Sequence, residues 1–222
     1  ANTETSGNMS ISPIESEGLF QFVLHWGTEA ENVPADLDSH LLGPAVGGKF
    51  HTFYADPTYH GEEGERYADL DRDDTDYEGP ETTTVRKASD GLYHFYVYDF
   101  TNQGNEKNPQ MATSQAFVEV FVGGMKVATY YVPDQIGTLW DVCTYDFKTN
   151  TLTPINKVTF HPGDSDDVGL EPLDIAKRRL SKTIEKDKCK YFGEALAAEV
   201  TQKLADAQSI LEGSNDYDEV VN

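Results

Sequence analysis

The chain has 222 residues and a mass of 24.7 kDa, which suits one large domain or a domain with a helical appendage. Its 17 basic and 39 acidic residues leave a net charge of −22, which repels nucleic-acid phosphates and anionic lipid headgroups. No apolar run reaches the roughly 20 residues that span a bilayer, and residues 1–10 lack the basic and apolar regions of a signal peptide. These features argue against nucleic-acid partners and membrane insertion, and they predict a chain that is cytosolic or has already lost its signal.

Short runs of alternating apolar and polar residues follow an N-terminal extension of residues 1–18 and continue to residue 162. In the first run, Phe20, Phe22, Leu24 and Trp26 share one face. The same pattern, with one β-rich run at 81–87, predicts strands over residues 19–26, 49–54, 81–87, 92–100, 116–122, 126–132 and 139–147. Seven to nine strands with turn signals and no helices between them predict an antiparallel β-sandwich, like an immunoglobulin or carbohydrate-binding module, over residues 19–162.

The pattern changes to a helical period after Phe160. Residues 163–171 have the composition of a linker, and Pro172 suits a first helical position. Apolar stripes then predict two amphipathic helices, the second ending at Gly213. We expect residues 172–222 to form a small α-helical cluster packed on the sandwich, because two helices alone bury little apolar surface. A helix start near Tyr217 indicates a piece of a longer chain.

The two cysteines, Cys143 and Cys189, lie too far apart in sequence for a metal knuckle or a redox CxxC pair. They could form one disulfide, or they could be two separate buried thiols.

Carboxylates recur at alternate positions in Asp36-Leu-Asp38 and in Asp69-Leu-Asp71-Arg-Asp73. Such oxygen-rich segments suit Ca²⁺, and Asp38 and Asp71 are the candidate ligands. An EF-hand is excluded, because position 74 is not glycine and position 80 is not glutamate. The alternative is that these side chains form Asx-turns and accept backbone N–H bonds. No cofactor is required by the sequence, and Ca²⁺ is the ion that it could hold.

No motif of catalysis is present. The six histidines lack the HxH and HExxH spacings of zinc sites, and the chain has no GxSxG elbow, P-loop or GxGxxG. With 39 acids, some carboxylate pair will match glycosidase spacing by chance. We therefore expect a protein without catalytic residues that is not an enzyme.

Twelve tyrosines exceed what the interior of a sandwich needs. An exposed ring beside carboxylates suits a sugar, whose C–H face lies on the ring while polar groups bind its hydroxyls. The alternative is ordinary packing across strands. Two places are most suited to exposed aromatic rings. One is a Gly- and Glu-rich segment predicted as a loop, which contains Tyr59 and Tyr67. The other is the start of the second helix, which contains Tyr191 and Phe192.

Four motifs of the chain resemble those of a β-sandwich domain in bacterial surface proteins, in which W, DLDSHL-GP, DLD-D and GPET follow one another in this order. They are Trp26-Gly27, Asp36-Leu-Asp38-Ser-His40-Leu-Leu-Gly43-Pro44, Asp69-Leu-Asp71 and Gly79-Pro80-Glu81-Thr82. The resemblance covers most of residues 19–160 and implies a secreted, cell-surface protein. It also implies that the Trp, Asp and Gly-Pro positions serve the fold.

A sandwich followed by a short helical cluster is also similar to the first, starch-binding domain of a starch adherence system protein from the amylosome of a gut Ruminococcus. This similarity implies non-catalytic carbohydrate binding, in which the non-reducing end of a maltooligosaccharide is captured between sandwich and helices. The residues expected to bind it are Tyr59, Tyr67, His25, Lys190, Tyr191 and Phe192. The alternative function is a structural spacer or protein-binding adhesin domain, stiffened by Ca²⁺.

Overall fold

The computed structural model describes residues 19–171 except 28, 30, 31, 46, 47 and 78, together with helical positions 173, 175, 176, 180, 203, 205–207, 209 and 210. The chain divides into two units between Val168 and Gly169. The first unit contains the strands, and the isolated helical positions belong to the second. The predicted packing of helices on the sandwich lies outside the described residues.

Eleven strands are present among the described residues of the first unit. They are β1 (Phe20–His25), β2 (Leu37–Ala45), β3 (Gly48–Thr52), β4 (Thr58–His60), β5 (Arg66–Leu70), β6 (Glu81–Val85), β7 (Leu92–Asp99), β8 (Phe117–Val122), β9 (Met125–Tyr131), β10 (Leu139–Asp146) and β11 (Thr151–Thr159). A six-stranded sheet has the order β4-β5-β6-β1-β8-β9, and a five-stranded sheet has the order β11-β10-β7-β2-β3. The paired strands run antiparallel, which confirms the predicted β-sandwich.

Alternation along the strands explains which side chains face the other sheet. Phe20, Phe22 and Leu24 of β1 point into the core, as their spacing predicts. Like β1, strand β2 is buried on both faces, in its case from Leu37 to Gly43. A 3₁₀ turn, Ser165–Asp167, bonds to β2 through the Ser165 hydroxyl, so the polar side chains on that strand are covered as well.

The core between the sheets is aromatic. Phe22 of one sheet stacks on Phe95 of the other with centroids 4.5 Å apart and planes 8° apart. Phe20 meets the rings of Tyr93 and Tyr145 at 4.9 and 4.7 Å. Because aromatic rings bury large areas and prefer defined contact angles, these pairs fix how the two sheets face each other.

Both tryptophans and Cys143 are buried in the core. Trp26 packs against Gly79, where a Cβ would lie 2.9 Å from Trp26 Cζ3, and Trp140 is fully buried with its indole N–H donated to Asn156. Cys143 is a buried free thiol, and burial raises its pKa. Cys189 lies outside the described residues.

The described helical segments are short. Helix α1 spans Gln110–Thr113, and it buries Met111 in the core. Within the part of the chain that the structure describes, none of the helices is long and apolar enough to cross a bilayer.

Gly43 is required by space in the core. A Cβ at this position would lie 2.5 Å from Phe50 Cε1 and 2.6 Å from Tyr93 Cδ1. We expect Gly43→Ala to lower the free energy of unfolding by about 1–3 kcal/mol, because both rings must move in a packed interior. Gly48→Ala on the adjacent strand is the matched control, since a Cβ there meets nothing within 4 Å. Equal stability of the two variants in urea denaturation would contradict this account.

Candidate functional site

A tight hairpin connects β4 to β5 at one edge of the six-stranded sheet. The sequence Gly61-Glu-Glu-Gly64-Glu65 forms its turn, in which Gly61 N–H donates to the Glu65 carbonyl at 2.8 Å and Gly64 N–H donates to the Gly61 carbonyl at 2.9 Å. Gly64 has a φ of +83°, which glycine adopts at little cost. The two tyrosines expected in a loop therefore lie on strands, Tyr59 on β4 and Tyr67 on β5.

Tyr59 and Tyr67 line one cavity of about 230 Å³ beside this hairpin. Tyr59 stacks on Phe50 with centroids 4.4 Å apart, and the Tyr67 ring meets Tyr59 edge-on at 5.8 Å. Gly61 also lines the cavity, and a Cβ at this position would collide with the Tyr67 ring. The cavity wall is therefore anchored through Phe50 to the aromatic core.

An ion pair crosses the cavity lining. Lys87 Nζ lies 2.7 Å from Glu65 Oε1 and 5.0 Å from the centroid of the Tyr67 ring. The hydrogen bond between the Lys87 ammonium and the Glu65 carboxylate lowers the pKa of Glu65 and raises the pKa of Lys87, so both groups are charged at neutral pH. The cavity thus presents a cation, a carboxylate and aromatic rings at its surface, which are groups that bind hydroxyls and C–H faces.

The backbone brings Lys87 to this position. Arg86 and Lys87, which follow β6, both donate their backbone N–H to the Tyr67 carbonyl, at 2.7 and 3.2 Å. The Arg86 guanidinium also binds Asp69 through two bonds of 2.7 and 3.1 Å. Ser89, farther along the rim, is held by the hydroxyl of the buried Tyr93.

His25 lies away from this cavity. The end of β1 nearer to the cavity is Phe20, which pairs with Val85, and Val85 in turn pairs with Ala68, the residue after Tyr67. His25 is at the other end of β1, about 16 Å along the strand from Phe20. His25 stacks on Phe117 at 4.5 Å, and its Nε2 lies 3.6 Å from Glu119. Burial lowers the pKa of His25 despite that carboxylate. The other expected residues, Lys190, Tyr191 and Phe192, lie outside the described residues.

A second candidate site consists of three carboxylates. One oxygen from each of Asp36, Asp38 and Asp73 lies within 4.8 Å of the other two. The sequence paired Asp38 with Asp71, but the structure places Asp71 outside this group. Asp71 directly follows β5, and its carboxylate accepts the Thr82 N–H at 2.8 Å while its own N–H donates to the Thr82 carbonyl at 2.9 Å. Asp71 therefore holds the backbone, as in the alternative reading of the acidic segments.

Burial makes this cluster unfavourable for negative charge. Burial, with the charges of Asp36, Asp73 and Asp99, raises the pKa of Asp38 to about 8. Burial and the Asp73 and Asp99 carboxylates raise the pKa of Asp36 to about 6. Asp36 Oδ1 is inaccessible to solvent and accepts no hydrogen bond. A buried oxygen without a donor, beside two other carboxylates, fits a hard cation such as Ca²⁺.

A polar network lies on the other side of Asp38. The Ser165 hydroxyl is 3.3 Å from both Asp38 Oδ2 and His40 Nε2, and His40 Nδ1 is 2.8 Å from His51 Nε2. Burial lowers the pKa of His40 well below its ordinary value. Glu81 accepts the backbone N–H groups of Ser39 and Asp74 at 2.8 and 3.2 Å. These bonds hold the strands and loops that carry the three carboxylates.

No protein-family model matches the chain, and no curated protein matches it. Among solved structures, the chain is similar to the crystal structure of the unknown-function protein SAV2460. The TM-score is 0.49 and the sequence identity is 13%, over 68% of this chain and 94% of that chain.

Sequence patterns did not indicate Lys87 or Glu65 as site residues, and they placed Asp73 in an acidic segment without naming it as a ligand. Lys87 lies near Tyr67 because β6 pairs with β5. The spacing of residues within either segment does not predict that pairing. Asp73 does carry a signal, since it continues the alternation of Asp69 and Asp71. The end of β5 breaks that alternation, so the third acid reaches Asp38 while the second does not.

The raised pKa of Asp38 predicts a pH dependence of stability without divalent cations. Folded Asp38 keeps its proton up to about pH 8, whereas the unfolded carboxyl loses its proton near pH 4, so the free energy of unfolding falls as pH rises. Between pH 6.5 and 8 we expect a loss of about 2 kcal/mol, or roughly 4–8 °C in Tm, measured in EDTA. Neutral His40 adds no slope in this window.

Asp38→Asn is the informative variant, because the amide imitates the protonated carboxyl. We expect a flatter profile, with a residual slope from Glu81, whose pKa is also raised by burial. Asp71→Asn is the control. Asp71 is exposed, and the amide oxygen of the asparagine can still accept the Thr82 N–H. Parallel profiles for wild type and Asp38→Asn would contradict the assignment.

Proposed function

We propose that this chain is a non-catalytic carbohydrate-binding domain that captures the non-reducing end of an α-glucan, such as starch or a maltooligosaccharide. The observation that carries the proposal is the cavity at the β4–β5 hairpin, which Tyr59 and Tyr67 line together. Typical ligand pockets measure about 300–1,000 Å³, so this smaller volume suits a terminal sugar rather than a long segment of chain. A concave site of this size favours a chain end, whereas a flat sheet face would favour binding along the chain.

The lining offers partners for each part of a glucose ring. Tyr67 contributes aromatic surface, the Glu65 carboxylate accepts hydrogen bonds from hydroxyls, and the Lys87 ammonium donates them. Each contact contributes modestly after desolvation. A site for a few glucose units then binds in the micromolar to millimolar range, or about 4–8 kcal/mol. Neighbouring modules of a larger surface assembly would add avidity.

The setting is part of the proposal. The resemblance carried by the Trp26, Asp36–His40 and Gly79-Pro80 motifs supports a secreted protein at a bacterial cell surface. The likeness in architecture and acidic, aromatic composition supports a gut bacterium and an assembly of the amylosome type. The helical cluster over residues 172–222 and the residues Lys190, Tyr191 and Phe192 stay predictions. Non-catalytic binding means that incubation with starch releases no reducing sugar.

Isothermal titration calorimetry with maltotriose tests the site directly. We expect Tyr67→Ala to weaken binding about tenfold, since the ring contributes on the order of 1.4 kcal/mol of contact. Tyr54→Ala is the matched control, because Tyr54 is another partly exposed tyrosine and does not line the cavity. Gly61→Ala should also weaken binding by displacing the Tyr67 ring while keeping every side chain of the lining.

Cyclodextrin distinguishes end capture from binding along the chain, because it has α-linked glucose and no chain ends. We expect weak or no binding of cyclodextrin beside clear binding of maltotriose. No heat with maltotriose, together with no retention on starch affinity gels, would refute carbohydrate binding of this type.

A second candidate function is a structural spacer or protein-binding adhesin domain that Ca²⁺ stabilises. The cluster of Asp36, Asp38 and Asp73 favours it, because Asp36 Oδ1 is buried without a hydrogen-bond donor. These three residues would supply carboxylate oxygens, and the exposed Asp73 leaves room for water as a further ligand. Cation binding would offset the repulsion among the buried carboxylates and stiffen the loop after β5.

Calcium binding is measured by thermal unfolding at pH 7.5 in EDTA and after Ca²⁺ is added. At about 100 times the dissociation constant, we expect Ca²⁺ to stabilise the wild type by about 2.7 kcal/mol. Asp36→Asn should lose this gain, and Asp71→Asn should keep it, because Asp71 lies outside the cluster. An unchanged Tm on adding Ca²⁺ to the wild type would exclude the cation site.

A further inference from the structure

We propose that Glu62 and Glu63 make the cavity selective for neutral glucan ends and reject ends that carry a phosphate or a carboxylate. This inference rests on the proposed function and names two residues that determine its specificity. Both glutamates line the cavity, and both are exposed at the turn between β4 and β5.

The charges around the cavity are not balanced. The described lining residues include three glutamates and one cation, Lys87, which leaves a net charge of −2. Lys87 is engaged by Glu65 at 2.7 Å. Glu62 and Glu63 take part in none of the ion pairs found among the described residues. Their two negative charges therefore act on whatever enters the cavity.

The hairpin holds these charges at the rim. Glu62 and Glu63 lie between Gly61 and Gly64, whose backbone bonds of 2.8 and 2.9 Å close the turn. A neutral sugar loses little near them, because its hydroxyls can donate to carboxylates. An anionic group meets repulsion that is strong at low ionic strength and is screened over about 10 Å at 0.1 M salt.

Local repulsion must be separated from the repulsion by the whole chain, whose net charge is −22. The chain offers a matched control for this purpose. Glu106 and Asp134 are exposed acids that do not line the cavity. Replacing them with amides changes the net charge by the same amount as replacing Glu62 and Glu63.

The experiment compares maltotriose with maltotriose phosphorylated at C6 of its non-reducing glucose, by titration calorimetry in 20 mM buffer. We expect wild type to bind the neutral sugar about tenfold more tightly, with the ratio shrinking in 0.5 M salt. The double variant Glu62→Gln, Glu63→Gln should reduce the ratio to about twofold, because the affinity for the phosphorylated sugar rises relative to that for maltotriose. The control Glu106→Gln, Asp134→Asn should keep the wild-type ratio.

Each failure has its own signature. If maltotriose binds and both double variants discriminate like wild type, the charge selectivity is wrong and the glucan site stands. If both double variants lose discrimination equally, the effect belongs to the whole chain and the assignment to Glu62 and Glu63 is wrong. If maltotriose itself does not bind, the proposed function falls, and this inference falls with it.

Discussion

Contact between aromatic rings of the two sheets is the constraint on which the rest of the structure depends. Phe22 stacks on Phe95 at the centre of the sandwich, and Phe20 meets Tyr93 nearby. The same network continues from Tyr93 to Phe50 and from Phe50 to Tyr59 at the sheet edge. The wall of the candidate sugar cavity is thus an extension of the core, so a ligand there would meet a ring whose position is already fixed. Pre-organised contacts of this kind lose little entropy on binding.

Carboxylates in and beside β2, β6 and the segment after β5 are the second feature of the fold, and they have two uses. Glu81 and Asp71 accept backbone N–H groups and so hold the segment after β5 in place. Asp36 and Asp38 are not satisfied in this way, and the pKa of each is raised by burial and by neighbouring carboxylates, Asp73 and Asp99 among them. A site that is costly without a cation becomes favourable with one, which links stability to cation concentration.

The two candidate sites lie at opposite ends of β2. Asp38 is near the start of this strand, and Ala45, at its end, lines the sugar cavity, about 23 Å away along the strand. Substitutions at sites this far apart usually act additively. Under the two proposals, removing a cation bound at Asp38 should therefore change stability without changing maltotriose affinity, so the two proposed functions can be tested separately.

Alternation of apolar residues was enough to predict the sandwich and strands such as β1 and β7, because the core residues of each strand are apolar and recur at every second position. It did not predict β2, whose Asp38 and His40 are buried under the Ser165 turn. It also missed β4, which has only three residues, as well as β5 and β11. Composition and pattern also selected Tyr59 and Tyr67 as a pair. Tertiary structure decided that Lys87 joins them, that His25 does not, and that Asp73 rather than Asp71 approaches Asp38. The local sequence pattern predicts which residues of one strand are buried. Which residues form a site depends on the strand order and on the register between segments that are distant in sequence.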